Sequence, residues 1–294
     1  MNAYHAGELA VQRRMGQAEI AARVGRMIRR QIPAAAAAFL VEQPMVVLAA
    51  TDDAGRVWAG LVTGAAGFVH ADDQTIAVDA LPVPGDPLHN VFRRPDQQVG
   101  MIAIEPQSRR RMRVNGTAQP TEHGLRIHPD QVYSNCPKYI SRRHIELVDA
   151  DGPEPAVRRA EVLDERTQQM ISRADTFFIG SADPEGHADA SHRGGNPGFL
   201  QVLSPNRLRW PDYRGNSMFM TLGNISANSR CGLLIPDWDT GTTLQLTGTA
   251  EIVWDGGGPG RQGSVEFTVD EVIELTDASP LRWGHAELSP ANPT

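Results

Sequence analysis

Landmarks in the first half of this chain recur in the second at a nearly constant separation, which commits the fold to two copies of one unit. Gly55 in TDDAGR answers Gly186 in ADPEGH (186 − 55 = 131), and Gly67-Phe68 in AAGFV answers Gly198-Phe199 in NPGFL at the same offset. NGTAQ from Asn115 answers TGTAE from Thr247, where the offset has grown by one. The differences between the copies carry as much as the matches. Between the first two landmarks, copy one reads VWAGLVTG and copy two reads ADASHRGG. Only the second has an arginine there.

With 294 residues and 40% hydrophobic content, each copy is long enough to bury its own core. The expected units are residues 1–148 and 158–294. They are joined by DADGPEPAV at residues 149–157, a stretch of Pro, Gly and acid that reads as a linker. A net charge of −7 argues against a nucleic-acid partner. Cys136 and Cys231 fall in different halves, so neither a disulfide framework nor a multi-cysteine metal site is expected. The nine histidines show no HExxH-type spacing, and no metal is expected. The start has no signal-like apolar run, and no window approaches the roughly 18 apolar residues of a membrane span. The expectation is a soluble, cytoplasmic protein without a membrane partner. Lys138 is the only lysine among 28 basic residues, either a residue of coding bias or a position where arginine would not serve.

Helical spacing predicts a helix over 17–31, ended by Pro33, and an alanine-rich one over 34–41, closed by Pro44. Strand-sized pieces with turn punctuation follow, among them MVVLAAT, VWAGLVTG, QVGMIAIE and RMRVNGTAQ. Copy two repeats the series with helices expected over 161–173 and 218–228. Strands outnumber helices and favour neighbour pairing, which argues for an antiparallel barrel rather than a doubly wound sheet. The glycine cluster DGGGPGRQGS reads as a hairpin loop.

The chemistry concentrates in DASHRGG (residues 189–195) and PDYRGNSMFMTLGN (residues 211–224). Each sets an arginine beside glycine at a strand end, and the second leads directly into a short helix. Close-approaching backbone N–H groups, a guanidinium fork and a helix N-terminus are the parts of a phosphate site. Tight turns with solvated arginines are the plainer alternative. Arg111 and Arg113 share one strand face by period two, or else end a solvated hairpin. VYSNCPKYISRR brings Cys136, Lys138 and Tyr139 together, the thiol as nucleophile or as pocket lining. His192 suits either proton transfer or a turn. His5 and Glu8 in YHAGE either cap the site or begin a frayed helix.

DASHRGG, PDYRGN, TLGNI and LQLTGTAE, in this order, resemble the flavin-binding split-barrel proteins related to pyridoxamine 5′-phosphate oxidase. The resemblance spans almost the whole chain as two copies and is most specific over residues 175–253. It implies a mainly β (α+β) fold of two tandem antiparallel six-stranded split barrels with flanking helices, packed as a pseudo-dimer. It also implies FMN held by Ser191, Arg193, Arg214, Asn216 and Ser217, with Gly194, Asp212, Tyr213, Arg111, Lys138 and Tyr139 beside it. Lys138, Cys136 and His192 are the catalytic candidates. The implied activity is FMN-dependent oxidoreduction of a small molecule with an electron donor or acceptor, and a homodimer is an expected assembly. A deazaflavin is the alternative cofactor. A non-catalytic module for flavin, haem or pyridoxal phosphate is the alternative function. Copy one departs from the pattern, since Val62 stands where Arg193 would be and DALPVPGDPL replaces DYRGNSM, so one cofactor per chain is expected.

Overall fold

The computed structural model describes residues 3–148, 153–254 and 261–293. Three helices open the chain, α1 (Ala6–Arg14), α2 (Ala18–Gly25) and α3 (Ala34–Val41). The first sheet contains β1 (Met45–Thr51), β2 (Val57–Thr63), β3 (Val69–Ala71), β4 (Ile76–Val78), β5 (Gln97–Glu105), β6 (Arg110–Pro120) and β7 (Leu125–Ser134), with the short helix α4 (Leu88–Val91) between β4 and β5. After β8 (Ile145–Val148) and β9 (Ala156–Ala160), α5 (Glu165–Arg173) leads into the second sheet. Its strands are β10 (Thr176–Ala182), β11 (Ala188–Gly194), β12 (Gln201–Ser204), β13 (Arg207–Tyr213), β14 (Arg230–Pro236), β15 (Thr243–Val253) and β16 (Arg261–Thr276), with α6 (Met220–Ala227) between β13 and β14. A last strand, β17 (Leu281–Trp283), pairs with β8.

Both sheets are antiparallel and follow one order. The first runs β2-β1-β5-β6-β7-β4-β3 and the second β11-β10-β14-β15-β16-β13-β12. The repeat is therefore a repeat of topology. Its offset survives in the register, since Val46 pairs with Val62 as Phe177 pairs with Arg193. Split barrels of six strands were expected; the curled sheets have seven and eight. The β3–β4 and β12–β13 hairpins join their sheets, and β16, at 16 residues, is long enough to pair with β15, β13 and β9.

Strand alternation sends successive residues to different cores. Val46, Leu48 and Ala50 on β1 enter the core of the first barrel, while Met45, Val47 and Ala49 join Phe178, Ala190 and Leu234 of the second copy in a shared core. Phe177 and Ile179 on β10 enter the second barrel. Burial on both faces explains why MVVLAAT is a continuous apolar run rather than an alternating one. Two glycines set how closely the copies approach. A Cβ on Gly100 would lie 2.4 Å from the Ala190 nitrogen, and one on its counterpart Gly232 would lie 2.5 Å from the Val57 oxygen. The packing is a pseudo-dimer with matching contacts on both sides.

Local chemistry sets the helices. α3 is built on alanines and starts after Pro33, as propensity and proline placement predict. The expected helix over 17–31 stops at Gly25, because Arg29 exchanges backbone hydrogen bonds with Val132 of β7 (3.0 and 2.6 Å). α5 starts later than expected, where the Asp164 side chain caps it by accepting from Thr167 N at 2.9 Å. Residues 149–152 of the expected linker, and 255–260 of the glycine cluster, lie outside the described residues; Ala156 and Val157 already belong to β9. No helix among the described residues is long and apolar enough to cross a membrane.

Candidate functional site

The end of β11, the loop after β13 and the first turn of α6 meet β6 of the first copy around one open cleft of about 100 Å3. Ser191, His192, Arg193, Gly194, Asp212, Tyr213, Asn216 and Ser217 line it from copy two. Arg111, Cys136, Lys138 and Tyr139 line it from copy one. Segments more than 50 residues apart in sequence are thus gathered at the seam of the pseudo-dimer. Arg214 is the exception. It is exposed and outside the cleft lining, and its carbonyl accepts from the Tyr139 hydroxyl at 3.0 Å.

Gly194 is required by the crossing of the Cys136 segment, since a Cβ there would fall 2.0 Å from the Tyr139 oxygen. The Tyr139 and Tyr213 rings lie 5.1 Å apart at 34° and make an aromatic wall. Cys136 is half-buried and Lys138 exposed at the rim.

The cleft is crowded with guanidinium groups. Arg193 Nη1 donates to Ser191 Oγ (2.7 Å) and to its neighbour's carbonyl, His192 O (3.1 Å). Arg111 Nη1 donates to His192 Nδ1 at 2.7 Å. Arginine has no acceptor, so this bond puts the imidazole proton on Nε2. Burial first, then Arg111 and Arg193, hold His192 well below the ordinary histidine range, and the ring is neutral. Among the described residues, neither Arg111 nor Arg193 has a carboxylate partner within salt-bridge distance. Their Nε atoms, and His192 Nε2, are buried without an acceptor. Burial, together with the charges of Arg113 and Arg193, pushes Arg111 down to about 9, still protonated at neutral pH. Asp212, whose charge favours protonated Arg193, is itself pushed up to about 6 by burial, against the pull of that arginine.

Behind this arginine pair lies a third arginine that does have a carboxylate partner. Arg113, 5% exposed, forms a two-pronged ion pair with Asp189, 2% exposed. Asn115 Nδ2 (3.2 Å), Tyr133 OH (3.3 Å) and Thr221 Oγ1 (3.5 Å) also donate to the Asp189 carboxylate. Sequence reading placed Arg113 beside Arg111 on one strand face but gave no sign of Asp189 as its partner, 76 residues away. Cys231 is a buried thiol pushed up to about 12 by burial, hence inert.

The YHAGE segment is neither frayed nor at the cleft mouth. His5 and Glu8 form a reciprocal capping box for α1, and α1 lies across α6 of the second copy. The pattern escaped because histidine stands in the usual Ser or Thr position. Asp183, Glu185 and His187 bring ligand-type atoms within 4.8 Å of one another. Asp183 accepts from His187 N (2.8 Å) and Nδ1 (2.7 Å). These bonds close the β10–β11 turn just as Asp52 and Arg56 close β1–β2.

Residues 163–262 match the model of the pyridoxamine 5′-phosphate oxidase family. The match lies within the second copy and leaves the first outside it. No curated protein matches the sequence. Among solved structures the chain is similar to HupZ from Group A Streptococcus, at 13% identity over 36% of this chain and 89% of that one, with a TM-score of 0.30. It is also similar to an FAD-binding protein of Mesorhizobium loti (11%, 41% and 98%, TM-score 0.28). A third likeness is to a pyridoxamine 5′-phosphate oxidase-related, FMN binding protein of Nostoc punctiforme (13%, 29% and 41%, TM-score 0.23).

Proposed function

We propose that this pyridoxamine 5′-phosphate oxidase-like chain is an FMN-dependent oxidoreductase acting on a small molecule. One observation carries the reading: Arg111 and Arg193 converge, without carboxylate partners, on a cleft bounded by the open N-terminal turn of α6. Uncompensated buried cations beside free helix N–H groups call for an anion that is missing from the chain itself. A phosphate monoester fits that corner. The Tyr139–Tyr213 wall fits a planar ring.

In this reading Arg111 and Arg193 bind the phosphate, with Ser191 holding the Arg193 guanidinium in place. The N–H groups of Met220, Thr221 and Leu222 complete that end. Asn216 Oδ1 accepts from Met218 N at 3.1 Å and shapes the loop between the two. His192 contributes Nε2–H as a fixed donor rather than as a proton carrier, because its ring stays neutral across the working range. Tyr139 and Tyr213 flank the ring system, and Lys138 and Cys136 border the open face where a substrate enters. Bound there, the flavin supplies hydride or electron transfer.

The test is the absorbance spectrum of the purified protein, followed by mass analysis of the released ligand and FMN titration of the stripped chain. A flavin spectrum, binding at one FMN per chain, and bleaching by a nicotinamide donor with turnover on reoxidation are the expected results. A chain that takes up neither FMN nor another flavin overturns the cofactor. Uptake without turnover leaves a flavin-binding module and overturns the enzyme.

A further inference from the structure

The corner that faces the anion is formed by a loop that needs outside support. Ser217 and Phe219 both sit in the left-handed region (φ 66° and 58°), although neither is glycine, and such a conformation persists only where the surroundings impose it. Phe219 is the residue that starts α6, so the loop's shape decides where the first N–H groups of the helix point. Within the loop, the Asn216 side chain holds Met218 N. Two further side-chain contacts come from the opposite end of the chain.

Gln12 on α1, 1% exposed, donates from Nε2 to Met218 O at 2.9 Å. Gln17, just before α2, accepts at Oε1 from Ser217 Oγ at 2.5 Å. The segment bearing them is itself pinned to α6. His5 Nδ1 accepts from Gly7 N, so Nε2–H donates to Asn224 Oδ1 (2.8 Å), and Asn224 Nδ2 donates to Ser181 Oγ (3.0 Å). At Gly7 a Cβ would lie 2.3 Å from Gly223 O, so α1 and α6 cross backbone to backbone.

We propose that residues 5–17 are a positioning strap for the anion-facing loop, in which the two glutamines act with opposite sign. Gln12 fixes the backbone at Met218 and so aims the first turn of α6 into the cleft. Gln17 takes the one hydroxyl proton of Ser217 and withholds it from an anion there. The inference rests on the reading of the cleft as an anion site and adds which residues set its affinity.

The experiment uses the full chain, stripped of any copurified ligand, with two readouts: FMN titration, and hydrogen exchange of the 218–222 amides without ligand. Gln12→Met keeps the length of the side chain and removes the donor. It is expected to speed exchange in the loop and to weaken FMN at least about fivefold. Gln17→Ala is expected to tighten FMN, because the freed hydroxyl can turn to the phosphate, and an unchanged affinity overturns the opposed role of Gln17. The strap is overturned if Gln12→Met leaves either loop exchange or FMN affinity at the wild-type value. It is equally overturned if Gln17→Ala weakens FMN as much as Gln12→Met, since both would then act as mere packing. If the wild-type chain binds no FMN, the cofactor reading fails, and the exchange rates of Gln12→Met still decide whether the strap holds the loop.

Discussion

The cleft has a counterpart that the internal repeat creates and the chain has closed. Strand register matches Ser191, His192 and Arg193 on β11 with Gly60, Leu61 and Val62 on β2. It likewise matches Arg111 and Arg113 on β6 with Thr243 and Gln245 on β15. The imidazole and the three guanidinium groups among these have uncharged partners without a ring in the other copy. Around Leu61, Thr243, Trp238 and Trp283 the opening shrinks from about 100 to about 10 Å3. α4 starts where α6 does in the repeat, but it is only four residues long, and Asp86 Oδ1 accepts from Leu88 N at its N-terminus (2.7 Å). The other Asp86 oxygen accepts from Gln245 Nε2 (2.9 Å) and fills the space beside Gly60, where a Cβ would lie 2.7 Å from it. Copy one thus supplies its own carboxylate to the helix end that copy two leaves open. The comparison teaches that one scaffold turns into a plug or a site according to whether the helix end is filled by a carboxyl group of the chain or left open to an anion from outside.

The largest expected effect breaks the seam. Asp189→Ala strips the carboxylate from Arg113 and leaves a buried guanidinium unpaired, a defect worth about 3–5 kcal/mol. At the matching position copy one has Trp58, fully buried, so there a nonpolar group does the same packing without an ion pair. Chemical denaturation should register the loss, and a drop below about 1 kcal/mol would mean the network is solvated in solution.

Next comes ligand affinity. Arg193→Ala removes charge-assisted donors worth roughly 1.5–3 kcal/mol, or tenfold and more in FMN affinity. Val62→Ala, at the equivalent position, should leave affinity and the stoichiometry of one FMN per chain unchanged. Equal losses in the two variants, or two equivalent sites by titration, would erase the asymmetry between the copies.

The plug also has a pH signature. Burial pushes Asp86 up to about 7 from an ordinary 3.8. Between those values the folded chain holds a proton that the unfolded chain has released, so stability falls as pH rises through this window, by at most about 1.4 kcal/mol per pH unit. Glu8 under the strap, raised by burial to about 8 from 4.5, adds a loss of the same sign up to pH 8. Asp86→Asn should make the curve shallower between pH 4 and 7 and leave the slope that Glu8 contributes between about 4.5 and 8. An unchanged curve from pH 4 to 7 would place Asp86 in contact with water.

Much of this was legible from residues close in sequence. The 131-residue offset carried straight into strand order and register, and the motifs around Arg193 and Cys136 did meet in one cleft. What stayed hidden depends on partners far apart. Asp189 reads as one acid in a strand until Arg113 and Tyr133 are folded against it, and Asp86 reads as a turn residue in VPGDPL until Gln245 reaches it from the other copy. Gln12 and Gln17 carry no mark of a role in the sequence, because nothing local announces that α1 lies on α6. The eighth strand of the second sheet is hidden likewise, since β9 pairs with the part of β16 that runs past β13.

The smallest expected effect tests a pair that the sequence treats as equals. Arg193 and Arg214 each stand beside glycine at the end of a strand, and composition and spacing give no reason to rank them. The structure separates them, with Arg193 inside the cleft and Arg214 exposed beyond its lining. An exposed guanidinium gains typically no more than about 1 kcal/mol from an anion nearby, and salt screens it over about 10 Å at 0.1 M ionic strength. Arg214→Ala should therefore weaken FMN by less than about fivefold, and the difference from wild type should vanish at high salt, whereas the Arg193→Ala deficit should persist. If Arg214→Ala matches Arg193→Ala at both salt concentrations, the 214–219 loop must close over the ligand and bring Arg214 in. The strap would then govern a closing motion rather than a fixed shape.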